Sequence, residues 1–378
     1  MRPVIVTDVR YRTALAVIRP LAKAGYPVWA VQTRAECPDA PAAFFSKYGK
    51  EHVFLEGSVK DEAYAERLLD LCRKVGQEGQ RPVLFPIGAD TLAMLSKNRE
   101  KFREVCDFLV SSPEILDAAN DKRAVAVTAE KAGVPVPKEY DPKEGVPPLP
   151  VFIKPRCGEK LGLHAEARYK KASTKEEYGK ALEAMRAYDP EPVVQELITG
   201  DGTGVSLVMD KNSRPVTVIC HRRIREYPIC GGPSACCISI YDEEKVKNAV
   251  KLLQALRFVG IAMVEFKGDR VLEINPRIWG SFPLTDACGS RFAENYVRAA
   301  TGETFEKTDD FYQRGVRMRF LLNDTLAVLS CIRHGKFRAA MTGVGDVFQA
   351  KEALFRFRDQ RPFWRYLRLT LRGKGGKA

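Results

Sequence analysis

Apolar residues fall into short runs separated by polar turns, and the rhythm of those runs changes along the chain. Pro3–Val9 is an apolar strand, and Tyr11–Ala24 repeats apolar positions at helical spacing up to Gly25, a residue suited to a helix C-terminus. Pro27–Gln32, Glu51–Leu55 and Pro82–Ile87 read as further strands, Asp61–Val75 and Asp90–Lys97 as helices, and Phe108–Ser111 as extended. Strands alternating with helices in this way predict a parallel α/β sheet. The turn after the first strand, Thr7-Asp8-Val9-Arg10, lacks the GxGxxG that cradles a dinucleotide pyrophosphate, which disfavours a nicotinamide or flavin enzyme.

A helix opening at Asn120-Asp121-Lys122 and stopping at Gly133 leads into Val134–Pro150, whose six prolines read as a linker. Beyond it the pattern becomes strands joined by short turns: Pro150–Pro155, Pro192–Ile198, Val205–Met209, Pro215–Arg225 and Ala235–Tyr241. Helices are expected at Thr174–Ala187 and Glu243–Phe258. Ile261–Lys267 and Arg270–Ile274 then meet at Gly268-Asp269, which predicts a hairpin with a type I′ turn.

That hairpin concentrates the chemistry. Strand alternation puts Glu273 and Asn275 on one face with Leu272 and Ile274 toward the core, and brings Glu265 over from the partner strand. Two carboxylates and an amide are hard oxygen donors suited to Mg²⁺ bridging nucleotide phosphates, with Arg277 one step further on. Lys154, at the mouth of an apolar strand and followed by the loop Arg156–Gly162, offers a point charge beside exposed amides for phosphate. Arg223 and Arg225 alternate onto one face of their strand and, with the Gly231–Ser234 loop, are candidates for gripping a carboxylate. His221 has no nucleophile partner in view, and no GxSxG elbow supports a serine triad.

The net charge of +13 suits an anionic ligand. Part of it is local: Arg356, Arg358, Arg361, Arg365, Arg368, Arg372, Lys374 and Lys377 face Asp359 alone in the tail. Phe363, Trp364, Leu367 and Leu371 recur there at helical spacing, so residues 356–377 either lie on an anionic membrane surface or dock on the body. Ten cysteines without CxxC spacing read as reduced thiols, and no histidine sits at zinc-ligand spacing. No apolar run reaches the roughly 18 residues of a membrane span, and the N-terminus reads as a strand, so a cytoplasmic protein is expected, peripheral at the membrane if the tail is an anchor. No aromatic-basic stacking platform of the nucleic-acid kind is present.

In order, Ala119-Asn120-Asp121-Lys122, Phe152-Ile153-Lys154-Pro155, Gln195-Glu196-Leu197-Ile198, Glu265-Phe266 and Leu272-Glu273-Ile274-Asn275-Pro276-Arg277 resemble the ATP-grasp superfamily, nearest its carboxylate-amine ligase and carbamoyl-phosphate-synthase-like branch. The resemblance implies an N-terminal α/β parallel-sheet (pre-ATP-grasp) domain over 1–118, followed by two α+β ATP-grasp subdomains, 119–198 and 199–310. An extension, 311–378, ends in the basic tail. It implies that Lys122, Lys154 and Lys160 contact ATP phosphates, that Glu196 and Leu197 hold the adenine, and that Asp201 lies near the ribose. Glu265, Glu273 and Asn275 would hold Mg²⁺ or Mn²⁺, and Arg277 would stabilise the transferring phosphoryl group. The implied reaction makes an acyl phosphate from a small carboxylate for attack by an amine; an ATP-binding regulatory module without turnover is the alternative. The 156–162 loop is poorer in glycine and serine than the family's phosphate-covering loop.

Overall fold

The computed structural model describes residues 1–76, 80–158, 169–229 and 232–372. Four strands, β1 (Val4–Val6), β2 (Val28–Thr33), β3 (Glu51–Leu55) and β4 (Val83–Phe85), form an all-parallel sheet in the order β3-β2-β1-β4. Val4, Ile5, Val6, Val83, Leu84 and Phe85 have no solvent exposure, as expected for strands covered on both faces. A second sheet joins β5 (Glu139–Tyr140), β6 (Val151–Lys154), β7 (Lys170–Ala172) and β8 (Val193–Glu196) in the antiparallel order β5-β8-β6-β7. The third holds β9 (Gly202–Met209), β10 (Pro215–Glu226), β11 (Ser234–Ile240), β12 (Gly260–Lys267), β13 (Arg270–Asn275), β14 (Arg317–Arg319) and β15 (Lys351–Glu352) in the order β13-β12-β9-β10-β11-β14-β15. The three sheets bear out the expected order of a parallel α/β sheet followed by two α+β units.

The parallel sheet is fastened to the large one through the buried phenol of Tyr296, which donates to Leu84 O (3.1 Å) and accepts from Leu109 N (3.2 Å). The 109–111 segment continues the join: Ser111 Oγ donates to Val259 O and accepts from Val259 N. Gly260 follows at φ +108°, and a Cβ there would lie 2.6 Å from Leu109 O, so only glycine lets β12 start this close. Phe108–Ser111 is therefore a packed extended segment with only a bridge at Asp107 to Val83, not a strand of its own.

Two β-bulges correct the expected alternation. The register moves from Glu265 opposite Glu273 to Phe266 opposite Val271, leaving Leu272 as the extra residue. Val271 and Ile274 are buried as core residues, but Leu272 borders the cleft instead of entering the core. On β10 the register shifts between Arg223 and Arg225, so these two arginines part company. The β12–β13 turn is also not type I′, because Gly268 has φ +56° while Asp269 is not left-handed.

The C-terminal residues form helices Leu321–Arg333 and Phe337–Gln349, packed together as a hairpin, and helix Arg361–Leu371. The last docks on the short turn Ala42–Phe45. Its buried face is Pro362, Phe363 and Leu369, while Trp364 and Leu371 point outward, so the stripe expected from sequence is split between two faces. Edge-to-face packing of Phe363 on Phe355 fixes the choice of face. Among the described residues no helix is long and apolar enough to cross a membrane. The nine described cysteines are free thiols.

Just before that helix, Asp359 accepts from Arg19 Nε (2.9 Å), Ser46 Oγ (2.8 Å) and Lys47 N (3.1 Å), all inside the protein. Asp359→Ala strands the Arg19 guanidinium and should cost about 3–5 kcal/mol. Chemical denaturation measures this, and a loss below about 1 kcal/mol would mean that the pair does not hold the tail in place.

Candidate functional site

The β12–β13 hairpin places Glu265 directly opposite Glu273, with Asn275 opposite Met263. Asn275 Nδ2 donates to Glu265 Oε1 (3.2 Å) and Glu273 Oε1 (3.4 Å), so the three side chains converge on one point. Counter-charge arrives from three other elements. Lys122 is the first residue of helix Lys122–Lys131, whose N-cap is the Asp121 side chain accepting from Arg123 N and Ala124 N. Its Nζ lies 3.1 Å from Glu273 Oε2, and its backbone N–H bonds Arg156 O. Lys154 ends β6, 7% exposed, with Nζ donating to Leu272 O at 3.4 Å. Arg223 on β10 reaches Glu226 (3.0 Å), Ser234 Oγ (3.2 Å) and Glu265 Oε2 (3.6 Å).

The electrostatics follow from this crowding. Desolvation pushes both carboxyls up, but Lys122 and Lys154 pull Glu273 down to about 2. Desolvation and the neighbouring Glu273 charge raise Glu265 despite Arg223. Burial lowers the Lys154 ammonium to about 8, with Glu273 opposing the shift.

These groups line a cavity of about 860 Å³, which also takes in Gln195, Glu196, Leu197 and Arg277. That volume is in the range of pockets for nucleotide-sized ligands. The Glu196 carboxylate accepts from Lys138 N at 2.9 Å, tying β8 to the segment before β5, while Leu197 lies along the wall. Asp201 borders a smaller cavity of about 320 Å³ and pairs with Arg222 at 3.1 Å, so the structure does not bring it into the larger one. Arg225 is turned away by the bulge: it is buried and bonds both oxygens of Asp324 (2.7 and 3.0 Å) and Asp346 (2.6 Å). Burial opposes its charge, but those carboxylates hold the guanidinium above its ordinary range. Lys160 and Gly231 lie outside the described residues, as does most of the 156–162 loop.

Mg²⁺ fits this donor set in kind. Turning the Asn275 amide over would aim its oxygen at the point where the two carboxylates meet. Among the described residues no group of three His, Cys, Asp or Glu forms an all-protein cage, so further ligands must come from phosphate and water, as Mg²⁺ prefers.

Residues 119–281 match the family model described as an ATP-grasp domain. The chain carries an ATP-grasp domain. It contains every site residue from Lys122 to Arg277. No curated protein sequence matches the chain. Among solved structures, the chain is similar to the biotin carboxylase domain of 2-oxoglutarate carboxylase from Hydrogenobacter thermophilus, determined with MgADP, ADP and bicarbonate. The TM-score is 0.61 at 18% identity, over 84% of this chain and 73% of that one. Biotin carboxylase from Campylobacter jejuni gives 0.60 at 16%, over 84% and 74%. L-amino acid ligase from Bacillus licheniformis gives 0.53 at 16%, over 80% and 74%. Identities this low establish a shared fold.

The structure adds cavity residues to the ATP-grasp domain that sequence reasoning missed. Phe152 stacks on Tyr169 (centroids 4.4 Å apart) and shares the cavity wall with Lys154, two residues along the same strand face. The period-two pattern of Val151-Phe152-Ile153-Lys154 carried that signal, since Val151 and Ile153 are fully buried. His221 bonds Ser281 Oγ through Nε2 (3.1 Å), a pairing across 60 residues that has no local signature. The imidazole is accommodated by Gly204, where a Cβ would lie 2.2 Å from its ring.

Burial, reinforced by Arg223, depresses His221 to about 3 from its ordinary 6.5, so it is neutral near pH 7. As pH falls below 6.5 the unfolded chain takes up a proton at this position and the folded one does not, so stability is lost on acidification. Between pH 7 and 4.5 the wild type should lose about 2 kcal/mol more than His221→Asn in denaturant melts. Parallel pH profiles for the two proteins would show that His221 is not buried in neutral form.

Proposed function

We propose that the chain is an ATP-dependent ligase that activates a small carboxylate as an acyl phosphate for attack by an amine, releasing ADP and phosphate. The observation that supports this most is the facing Glu265–Glu273 pair set among Lys122, Lys154 and Arg223 in one large cavity. Anion-binding cations surround a divalent-cation donor set, which is what metal-assisted phosphoryl transfer requires.

Lys122 and Lys154 bind the phosphates of ATP as two point charges on the cavity wall. Leu197 and the Phe152–Tyr169 stack offer apolar surface for the adenine. Glu265, Glu273 and Asn275 hold Mg²⁺ or Mn²⁺, which when bound neutralises charge on the phosphates. Arg223 orients the carboxylate of the substrate, and Arg277 faces the transferring phosphoryl group. A carboxylate oxygen attacks the γ-phosphorus and the bond to the β-phosphate oxygen breaks, so ADP leaves with that electron pair. The amine nitrogen then attacks the acyl carbon, phosphate departs with the C–O electrons, and the amine loses a proton to solvent. Phosphate leaves where hydroxide would not. An amino acid, a peptide, a sugar acid or a biosynthetic intermediate each satisfies this chemistry as substrate.

Panels of acids and amines should give substrate-dependent ADP. Glu273→Gln and Glu265→Gln should each reduce its rate roughly 100-fold or more, about 2.7 kcal/mol of transition-state stabilisation. Formation of AMP, or unchanged turnover in both variants, would sink the mechanism. ATP binding without ADP release on any substrate would identify a regulatory module instead.

A further inference from the structure

The helical hairpin Leu321–Arg333 and Phe337–Gln349 leaves much of its apolar surface uncovered. Leu326, Leu329 and Ile332 are exposed by 44, 56 and 47% at i, i+3 and i+6 of the first helix. Phe337, Met341 and Val344 are exposed by 65, 69 and 52% at i, i+4 and i+7 of the second. These are two outward stripes at helical spacing, not scattered single residues.

The charge on this element is sorted by side. Its only acids, Asp324 and Asp346, are fully buried and engaged by Arg225, with Arg317 also on Asp346. Arg333 and Lys336, at the turn between the helices, are exposed. The outer surface among the described residues is thus apolar with a cationic rim, on a chain of net charge +13. A symmetric second copy packed hairpin to hairpin would put the cations of both copies into one interface with no exposed acid in either hairpin to answer them. An anionic lipid headgroup layer answers both features: its phosphates meet the rim and its acyl boundary takes the stripes. Each helix has 13 residues, roughly 20 Å, too short for the ~30 Å hydrocarbon core, so the element lies along the surface.

We infer that the 321–349 hairpin docks this protein on an anionic lipid surface, through Leu326, Leu329, Ile332, Phe337, Met341 and Val344. The inference stands apart from the ligase reading, since it uses none of the ATP-site residues. Cys331 and Lys336 border the smaller cavity, whose wall includes Glu265, so the docking element adjoins the site.

The full chain is floated with phosphatidylcholine vesicles, with and without phosphatidylglycerol. It should partition onto the anionic vesicles alone and be released by about 0.5 M salt, which screens charge within a few ångströms. Leu329→Glu and Met341→Glu should each lower the partition coefficient roughly tenfold or more, since each loses the burial of one large apolar side chain. Arg333→Glu should weaken binding and its salt dependence without touching the stripe. All three glutamate variants change exposed positions and should keep the wild-type melting midpoint and ATP binding. The inference is overturned if wild type stays unbound, if the variants bind as it does, or if light scattering finds a dimer that Leu329→Glu dissociates.

Discussion

Two glutamates directly opposite each other on neighbouring strands repel, and the site depends on how Glu265 and Glu273 are made tolerable. No neighbour within the hairpin cancels the repulsion; Asn275 only donates an N–H to each carboxylate. The compensating charges come from a helix start (Lys122), the end of a strand in the second sheet (Lys154) and β10 (Arg223). Those cations are themselves poorly placed without the carboxylates. Lys122 stands at the positive end of a helix, and Lys154 is buried with one long hydrogen bond. Each charge is therefore stabilised by the others, and the cleft exists only when both ATP-grasp sheets are in register with the connecting helix. Under the proposed reaction, a polyphosphate takes over the lysines as a divalent cation takes over the glutamates, which makes nucleotide and metal binding mutually supportive.

How much of this was legible in the sequence depends on the range of the interaction. The hairpin, the lysine at the end of β6 and the Asp121-capped helix are local, and period-two or capping patterns carry them directly. The bulges are not. Ile224 and Leu272 are apolar residues in places where a regular strand would also hold apolar residues, so nothing in the pattern marks the slip. That slip decides where Arg225 and Leu272 point. His221 with Ser281 is set by an approach across 60 residues, and Asp201 with Arg222 by the register in which β10 folds back on β9. The helices of 321–349 escaped notice for another reason. Leu321–Arg333 carries Ala327 and Cys331 inward but Leu326, Leu329 and Ile332 outward, so no single apolar stripe stands out.

The β10 bulge links the two surfaces of this protein. Without it, Arg223 and Arg225 would share a face and compete for the same carboxylates. With it, Arg223 joins the glutamate pair and Arg225 turns to clamp Asp324 and Asp346 from two different helices. A buried cluster of this kind adds little net stability over a well-packed apolar one, because desolvation offsets the attraction. Its geometric effect is larger: one guanidinium bonded to both helices fixes their pairing and rotation, which sends both acids inward. The outer face of the hairpin is left with apolar side chains and cations. One extra residue in a strand thus supplies the site with its third cation and sets the charge of a second surface beside it.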